Sequence, residues 1–139
     1  IVQTDTAPGS ITIYGGNDVS GGDTDYTTDA MDTHTTLSFD WTYFSVDDPG
    51  FDSFGILVNG EYSRLTNDDV LFGSYSLILD TGDAFGFRVH TVDGAKGAGI
   101  ATIYNFHVKG DIVPESSTGL LLMLGITVVL TRRQTTWQQ

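Results

Sequence analysis

The 139-residue chain is long enough for one domain and a tail, and its formal net charge of −12 comes from 18 acidic and only six basic residues. A surface this acidic repels phosphate backbones and anionic headgroups, which argues against a nucleic-acid partner and suits divalent cations or a high-salt exterior. The chain contains no cysteine, which excludes disulfides and cysteine-based zinc sites.

The first residues, IVQTDTAPGS, lack both a Met and the charged and apolar regions of a signal peptide. We expect that an export signal has been removed, because the other end of the chain carries an export-type pattern. Residues 11–14, ITIY, alternate in polarity and predict a first strand. Residues 15–35 are polar and rich in Gly and Asp, which predicts a long loop.

The clearest strand is predicted at residues 36–43, TLSFDWTY, where apolar and polar side chains alternate strictly. The apolar stripe ends in Trp41 and Tyr43, and it needs a second sheet to cover it. We therefore expect this strand to be central. For the same reason Trp41 is expected in the core and not as an exposed platform for sugars.

Later segments alternate in the same way and are separated by polar turns. Asn59-Gly60 is a strong hairpin signal inside the segment 54–65. In the last segment, 100–110, the alternation predicts that the even-numbered side chains from Ile100 to Val108 share one face. The remaining predicted strands cover residues 73–79 and 84–92.

Roughly six to eight short strands, each apolar on one face, are typical of two antiparallel sheets packed face to face. The sequence thus predicts an all-β fold, an antiparallel β-sandwich or jelly roll over residues 1–112. Residues 113–139 are predicted to form a separate C-terminal segment containing a single hydrophobic helix.

This segment holds 16 consecutive uncharged residues, from Ser116 to Thr131, followed by Arg132 and Arg133. That length is slightly short of the ~20 residues that a helix needs to cross a bilayer core. It suits a thin membrane, with the arginine pair on the cytoplasmic side and the domain outside. The alternative is a C-terminal helix or strand buried in the soluble domain.

The order VPESSTGLLLMLGITVVLTRR resembles a PEP-CTERM sorting signal, in which a Val-Pro-Glu-Pro motif precedes a hydrophobic helix and an arginine cluster. Val113, Pro114 and Glu115 match the motif, Ser116 replaces its second proline, and the arginine pair at 132–133 matches the basic end. The resemblance implies recognition and cleavage by exosortase, a membrane transpeptidase-like enzyme. It also implies export, with a transient anchor in the inner membrane, in bacteria that make extracellular polysaccharide or biofilm.

The upstream domain resembles, more distantly, CUB-type jelly rolls, which place acidic residues after a strand, at the opening of the next and before a Gly-rich turn. The corresponding residues are Asp47 or Asp48, Asp52 and Asp93. If the strands at 36–43 and 54–65 are neighbours, Asp48 and Asp52 lie at one rim, which Asp93 could reach. Calcium prefers such carboxylate and carbonyl oxygens, so Asp48, Asp52 and Asp93 are candidate calcium ligands. The alternative is that these aspartates only cap turns.

Other candidates are less specific. The acidic stretch from Asp23 to Asp32 has a spacing loosely similar to a calcium loop, without the Gly and terminal Glu of an EF-hand. Tyr26 and Tyr62 fall in or near predicted loops and are candidate ligand-binding aromatics. The three histidines have no spacing for zinc, and no GxSxG-type motif indicates a serine hydrolase.

The combined pattern predicts an exported, non-enzymatic protein of the cell surface or extracellular matrix, structural or adhesive in biofilm or exopolysaccharide. One alternative is a carbohydrate-binding module, with calcium as an optional cofactor. Another is a self-assembling filament subunit, in which an edge strand such as 11–14 completes a neighbour's sheet. A glycan hydrolase would need paired carboxylates in a cleft.

Overall fold

The computed structural model describes residues 1–6, 9–48 and 50–110. Nine strands form within these ranges, and every strand pair is antiparallel. The strands are β1 (Val2–Gln3), β2 (Ser10–Tyr14), β3 (Gly22–Thr27), β4 (Thr35–Phe44), β5 (Asp52–Val58), β6 (Glu61–Arg64), β7 (Phe72–Leu79), β8 (Phe85–Thr91) and β9 (Ile100–Gly110).

The strands divide into two sheets that share one core. The five-stranded sheet has the order β1-β2-β9-β4-β7, and the four-stranded sheet has the order β3-β8-β5-β6. Phe39 of the first sheet meets Phe87 of the second edge to face, with ring centroids 5.0 Å apart. Trp41 and Phe54 make a second contact between the sheets at 5.5 Å. The predicted all-β sandwich of antiparallel sheets is confirmed for the described residues.

Strand β4 confirms the alternation predicted for it. Leu37, Phe39, Trp41 and Tyr43 are buried, whereas the residues between them are half-buried or exposed. The strand lies between β9 and β7, as its apolar stripe requires. Trp41 is 3% exposed and belongs to the core, as predicted.

The Asn59-Gly60 hairpin is also confirmed. Both residues have positive φ, 52° and 83°, and they join β5 to β6 in an antiparallel pair. Two positive φ angles at the centre of a two-residue loop give the turn whose twist matches that of the flanking strands. The Asn59 side chain fixes the turn from outside, because its Nδ2 donates to Asp83 Oδ1 at 2.7 Å.

The long loop predicted for residues 15–35 is wrong in its middle part, where β3 forms an edge strand beside β8. Gly and Asp are poor strand formers, so composition pointed to a loop. The pairing explains the strand: Asp23 lies opposite His90 and Asp25 lies opposite Arg88. Cross-strand partners of opposite charge stabilise a sequence that would otherwise stay irregular.

The prediction of which side chains of residues 100–110 face the core is wrong for the first half of the segment. Ala101 and Ile103 are buried, whereas Phe106 packs against the core after them. The change of phase comes from a β-bulge, because the register between β4 and β9 shifts between Ser38 and Asp40. An extra residue in one strand moves every following side chain to the other face.

Candidate functional site

The central part of the outer surface of the five-stranded sheet is lined by hydroxyl, amide and carboxylate groups. The register places Thr12, Thr102 and Thr42 side by side on three adjacent strands. The next row holds Tyr104 and Asp40, with Ser74 beyond them on β7. We call this surface the polar face; its residues are Thr12, Ser38, Asp40, Thr42, Ser74, Ser76, Thr102, Tyr104, Asn105 and His107.

Asp40 is the centre of the polar face. Ser74 Oγ donates to its Oδ1 at 2.5 Å, and Asn105 Nδ2 donates to its Oδ2 at 2.7 Å. These two hydrogen bonds, with the charge of His107 as a smaller influence, hold the pKa of Asp40 below its ordinary value. Asp40 is therefore a fixed, ionised acceptor, and each oxygen keeps a lone pair for a ligand donor.

The bulge in β9 is what brings Asn105 to Asp40. Asn105 has φ of 50°, in the left-handed region that Asn tolerates better than most residues. The inserted residue turns the amide towards β4 and lets His107 face outward after it. Bulges often re-aim side chains at functional sites, and this one assembles a carboxylate, an amide and an imidazole on one surface.

A shallow groove of about 360 Å³ runs over these groups. Its polar lining residues are Ser38, Asp40, Ser74, Ser76, Asn105 and His107. Tyr104 pairs directly with Asp40 across the strands, so its ring lies on the same outer surface as the groove. An aromatic ring beside fixed hydrogen-bonding groups suits a ligand with one apolar and one polyhydroxylated side.

The candidate calcium ligands lie at one end of the sandwich. β4 and β5 belong to opposite sheets and meet across the core, where Trp41 contacts Phe54. The loop between them carries Asp48, whose Oδ1 accepts the Gly50 N–H at 2.7 Å. Asp93 Oδ1 likewise accepts the Ala95 N–H at 3.0 Å. Each of these two carboxylates thus caps its own turn.

Asp52 opens β5 and is only 1% exposed. Burial raises its pKa, and the charges of Asp47 and Asp93 act in the same direction, while the Ser45 hydroxyl, which donates at 3.2 Å, opposes them. The described residues contain no group of three or more His, Asp or Glu side chains arranged to hold a metal ion. Calcium at Asp48, Asp52 and Asp93 stays a prediction.

Tyr26 lies on β3 and not in a loop. Its ring is half-buried against the core and lines an apolar pocket of about 190 Å³ between the sheets. Ile11, Phe85 and Phe106 line the same pocket. The structure therefore places the ring of Tyr26 against the core and not in the loop that the sequence suggested for it.

Tyr62 lies on β6, at the outer surface of the four-stranded sheet. Its hydroxyl is 3.0 Å from Ser53 Oγ, and the Arg88 guanidinium lies 5.8 Å from its ring centroid. Burial raises the pKa of Tyr62, so the phenol stays protonated at neutral pH. The face of the ring is thus occupied by Arg88, and Tyr26 and Tyr62 do not meet in one site.

Sequence reasoning missed Asp40 and Asn105. The break in phase appears in the structure, where buried residues have odd numbers up to Ile103 and Phe106 then packs against the core at an even number. A phase change inside one strand indicates a bulge, and Asn at that point is suited to the backbone angle it needs.

No protein-family model matches the chain, and no curated protein matches it. Within residues 1–6, 9–48 and 50–110, no helix is long and apolar enough to cross a membrane. The proposed sorting residues Val113, Pro114, Glu115, Arg132 and Arg133 lie outside the described residues.

Proposed function

We propose that this protein is an exported β-sandwich of the cell surface or extracellular matrix that adheres to polysaccharide through its polar face. The observation that carries this proposal is the fixed Asp40 carboxylate beside Tyr104, with Ser74 and Asn105 as its supports. Sugar hydroxyls donate to such a carboxylate, and the C–H side of a pyranose ring packs against an aromatic ring.

The charge of the chain favours a neutral polysaccharide. Asp40 accepts hydrogen bonds and repels other carboxylates, and the chain carries a net charge of −12 around it. Acidic glycans and nucleic acids would meet this repulsion along their whole length. A neutral glycan brings donors and acceptors without charge, which is the chemistry that the serine and threonine hydroxyls of the polar face complement.

The polar face favours binding over cleavage. Among the strand residues that face outward from the described five-stranded sheet, Asp40 is the only carboxylate. Glycoside hydrolysis by the usual mechanisms needs two carboxyl groups about 5–9.5 Å apart. We therefore propose a non-enzymatic, adhesive role.

We also infer the jelly-roll form of the sandwich. Apart from the short β1, the strands form the sets β2-β9-β4-β7 and β3-β8-β5-β6, and the chain crosses repeatedly between the two sheets. Two interleaved four-stranded sets of this kind are typical of a jelly roll. This winding leaves the outer surface of each sheet free of crossing connections, which suits a flat surface that contacts a polymer.

The cellular location of the protein is proposed from the sequence of residues 113–139. Their resemblance to a PEP-CTERM signal supports export, a transient helical anchor in the inner membrane and processing by an exosortase-type enzyme. Intact-mass measurement and C-terminal peptide mapping of protein from the native cell surface test this. A C-terminus within residues 113–116 is expected, and an intact Gln139 would contradict processing.

Binding is tested with the full chain in a non-ionic detergent, by calorimetric titration with a soluble neutral glucan and, separately, with alginate. Tyr104→Ala and Asn105→Gly should each weaken glucan binding by about tenfold, which corresponds to 1.4 kcal/mol. Glycine keeps the positive φ at position 105, so that variant removes the amide without straining the bulge.

Ser63→Ala on β6 is the matched control, because it shortens an exposed side chain on the other sheet. Its affinity should equal that of the native chain. Equal loss in all three variants, or stronger binding to alginate than to glucan, would contradict the proposal.

A further inference from the structure

Strand β7 forms one end of the five-stranded sheet and is hydrogen-bonded on one side only, to β4, within the described residues. It is eight residues long, Phe72–Leu79, and its sequence FGSYSLIL contains no charged residue and no proline. The free side of such a strand presents backbone N–H and C=O groups that another strand can pair with.

The other three edges of the described sandwich are protected. β1 is two residues long, β3 carries Asp23 and Asp25, and β6 carries Glu61 and Arg64. Short length and charge are the usual means by which proteins prevent pairing of sheet edges. Edge β7 is longer than each of these strands and, unlike β3 and β6, carries no charge.

Two large apolar side chains of β7 are exposed at opposite ends of the strand. Phe72 is 73% exposed and Ile78 is 65% exposed, and the alternation of β7 places both on the outer side of the sheet. Tyr75 and Leu77 point the other way and are half-buried against the core. A strand with one free edge and apolar side chains on both faces of the sheet gains side-chain contacts on both faces when another strand pairs with that edge.

We propose that β7 pairs in antiparallel fashion with β7 of a second copy of this chain. The sequence is complementary to itself in the register that places Tyr75 opposite its own counterpart. In that register Phe72 of each copy lies opposite Ile78 of the other, and Ser74 lies opposite Ser76. A strongly acidic chain repels its copies, and an uncharged edge is where two copies approach at least electrostatic cost.

The pairing is isologous and closes at two copies, so it predicts a dimer and not a filament. Strand 11–14, expected at an edge, is β2 and lies between β1 and β9. In the dimer the two five-stranded sheets become one continuous sheet, and both polar faces point to the same side. This consequence rests on the proposed function: a polysaccharide could contact both faces, and linkage would increase the apparent affinity.

Sedimentation velocity of the full chain, in a non-ionic detergent and over a range of concentrations, tests the pairing. We expect a dimer in the native chain and a monomer in Ile78→Lys, which places a charge against the partner's Phe72. Val46→Lys is the matched control, because Val46 is an equally exposed apolar residue, 69%, away from β7. It should remain dimeric.

Cross-linking tests the register, since the chain contains no cysteine. Phe72→Cys mixed with Ile78→Cys should form disulfide-linked dimers at least several-fold faster than either variant alone. A monomer at every concentration, a filament, or a dimer unaffected by Ile78→Lys would each overturn the proposal. Glucan binding by a monomeric Ile78→Lys variant would still support the polar-face site, so the two proposals can fail separately.

Discussion

The outer surfaces of the two sheets use polar residues in opposite ways. On the four-stranded sheet, Arg88 contacts both oxygens of Asp25 at 2.7 Å and Asp23 at 2.9 Å, and it covers the ring of Tyr62. On the polar face, Ser74 and Asn105 hold the Asp40 carboxylate in place, and Tyr104 lies beside it on the adjacent strand. A surface whose charges are paired internally stabilises the fold, and one with free hydrogen-bonding capacity can bind.

The largest loss of stability is expected in the core between the two sheets, because both outer surfaces depend on it. Phe39→Ala removes a buried ring that contacts Phe87 of the opposite sheet at 5.0 Å, and such a truncation costs about 3–5 kcal/mol. Both surfaces should be lost in a single transition, measured by urea unfolding followed by tyrosine fluorescence and circular dichroism. Two separate transitions would show that the sheets are stable independently, and the exposed Phe44→Ala is the control.

Removing Arg88 tests the role of the paired charges on the outer surface of the four-stranded sheet. Arg88→Leu removes the guanidinium from both Asp23 and Asp25, while Asp23 keeps its contact with His90 Nδ1 at 2.6 Å. The variant should lower the free energy of unfolding by about 1–2 kcal/mol. Added salt should reduce the loss, because these groups are partly exposed.

The control for that prediction is the triple variant Arg88→Leu, Asp23→Asn, Asp25→Asn. In this variant Asp23 and Asp25 no longer carry charges that repel each other. Urea unfolding should show partial recovery of stability. Glucan binding should be unchanged in both variants, since the four-stranded sheet faces away from the polar face. A stability loss without any dependence on salt would argue against an electrostatic cause.

The sequence predicted the sandwich well in strands whose core-facing and outward side chains alternate without interruption. Phe85, Phe87 and Val89 all belong to the core, as the alternation of their segment predicted, and the Asn59-Gly60 turn needs only local chemistry. It failed at β3, whose stability depends on Arg88 some 60 positions away. It also failed at Asn105, because a bulge depends on the partner strand and is not visible from alternation alone. The polar face is built from four separate strands, so no local motif could indicate it.

A smaller effect on stability is expected at Asp52, which lies at one end of the sandwich and belongs to neither outer surface. The pKa of buried Asp52 is raised, so its ionised form is less favourable in the folded chain than in the unfolded chain. The contribution of this group to stability is complete below the ordinary value of 3.8 and is lost as pH rises through the folded-state pKa. Asp52→Asn should therefore raise the melting temperature at pH 7 by about 2–4 °C, and the gain should disappear at pH 3.

Calcium would reverse that result. If Asp48, Asp52 and Asp93 hold the ion, millimolar calcium should raise the melting temperature of the native chain relative to chelator, by selective binding to the folded state. Asp52→Asn should then be the less stable chain in calcium and the more stable one in chelator. Melting curves that are identical in calcium and chelator would contradict the calcium site.

The smallest effect on stability is expected at Asp40, although it is central to the polar face. Its carboxylate is exposed and its partners can be hydrated in its absence, so Asp40→Ala should melt within about 2 °C of the native chain. Its glucan affinity should nevertheless fall. Ser63→Ala, at an exposed serine of β6 on the other sheet, provides the control and should keep both its melting temperature and its glucan affinity. Because Arg88→Leu should lower stability and keep binding, the two variants together separate a surface that stabilises from one that binds. If Asp40→Ala instead unfolded the domain, the hydrogen bonds from Ser74 and Asn105 would be structural, and the contrast between the two sheets would not hold.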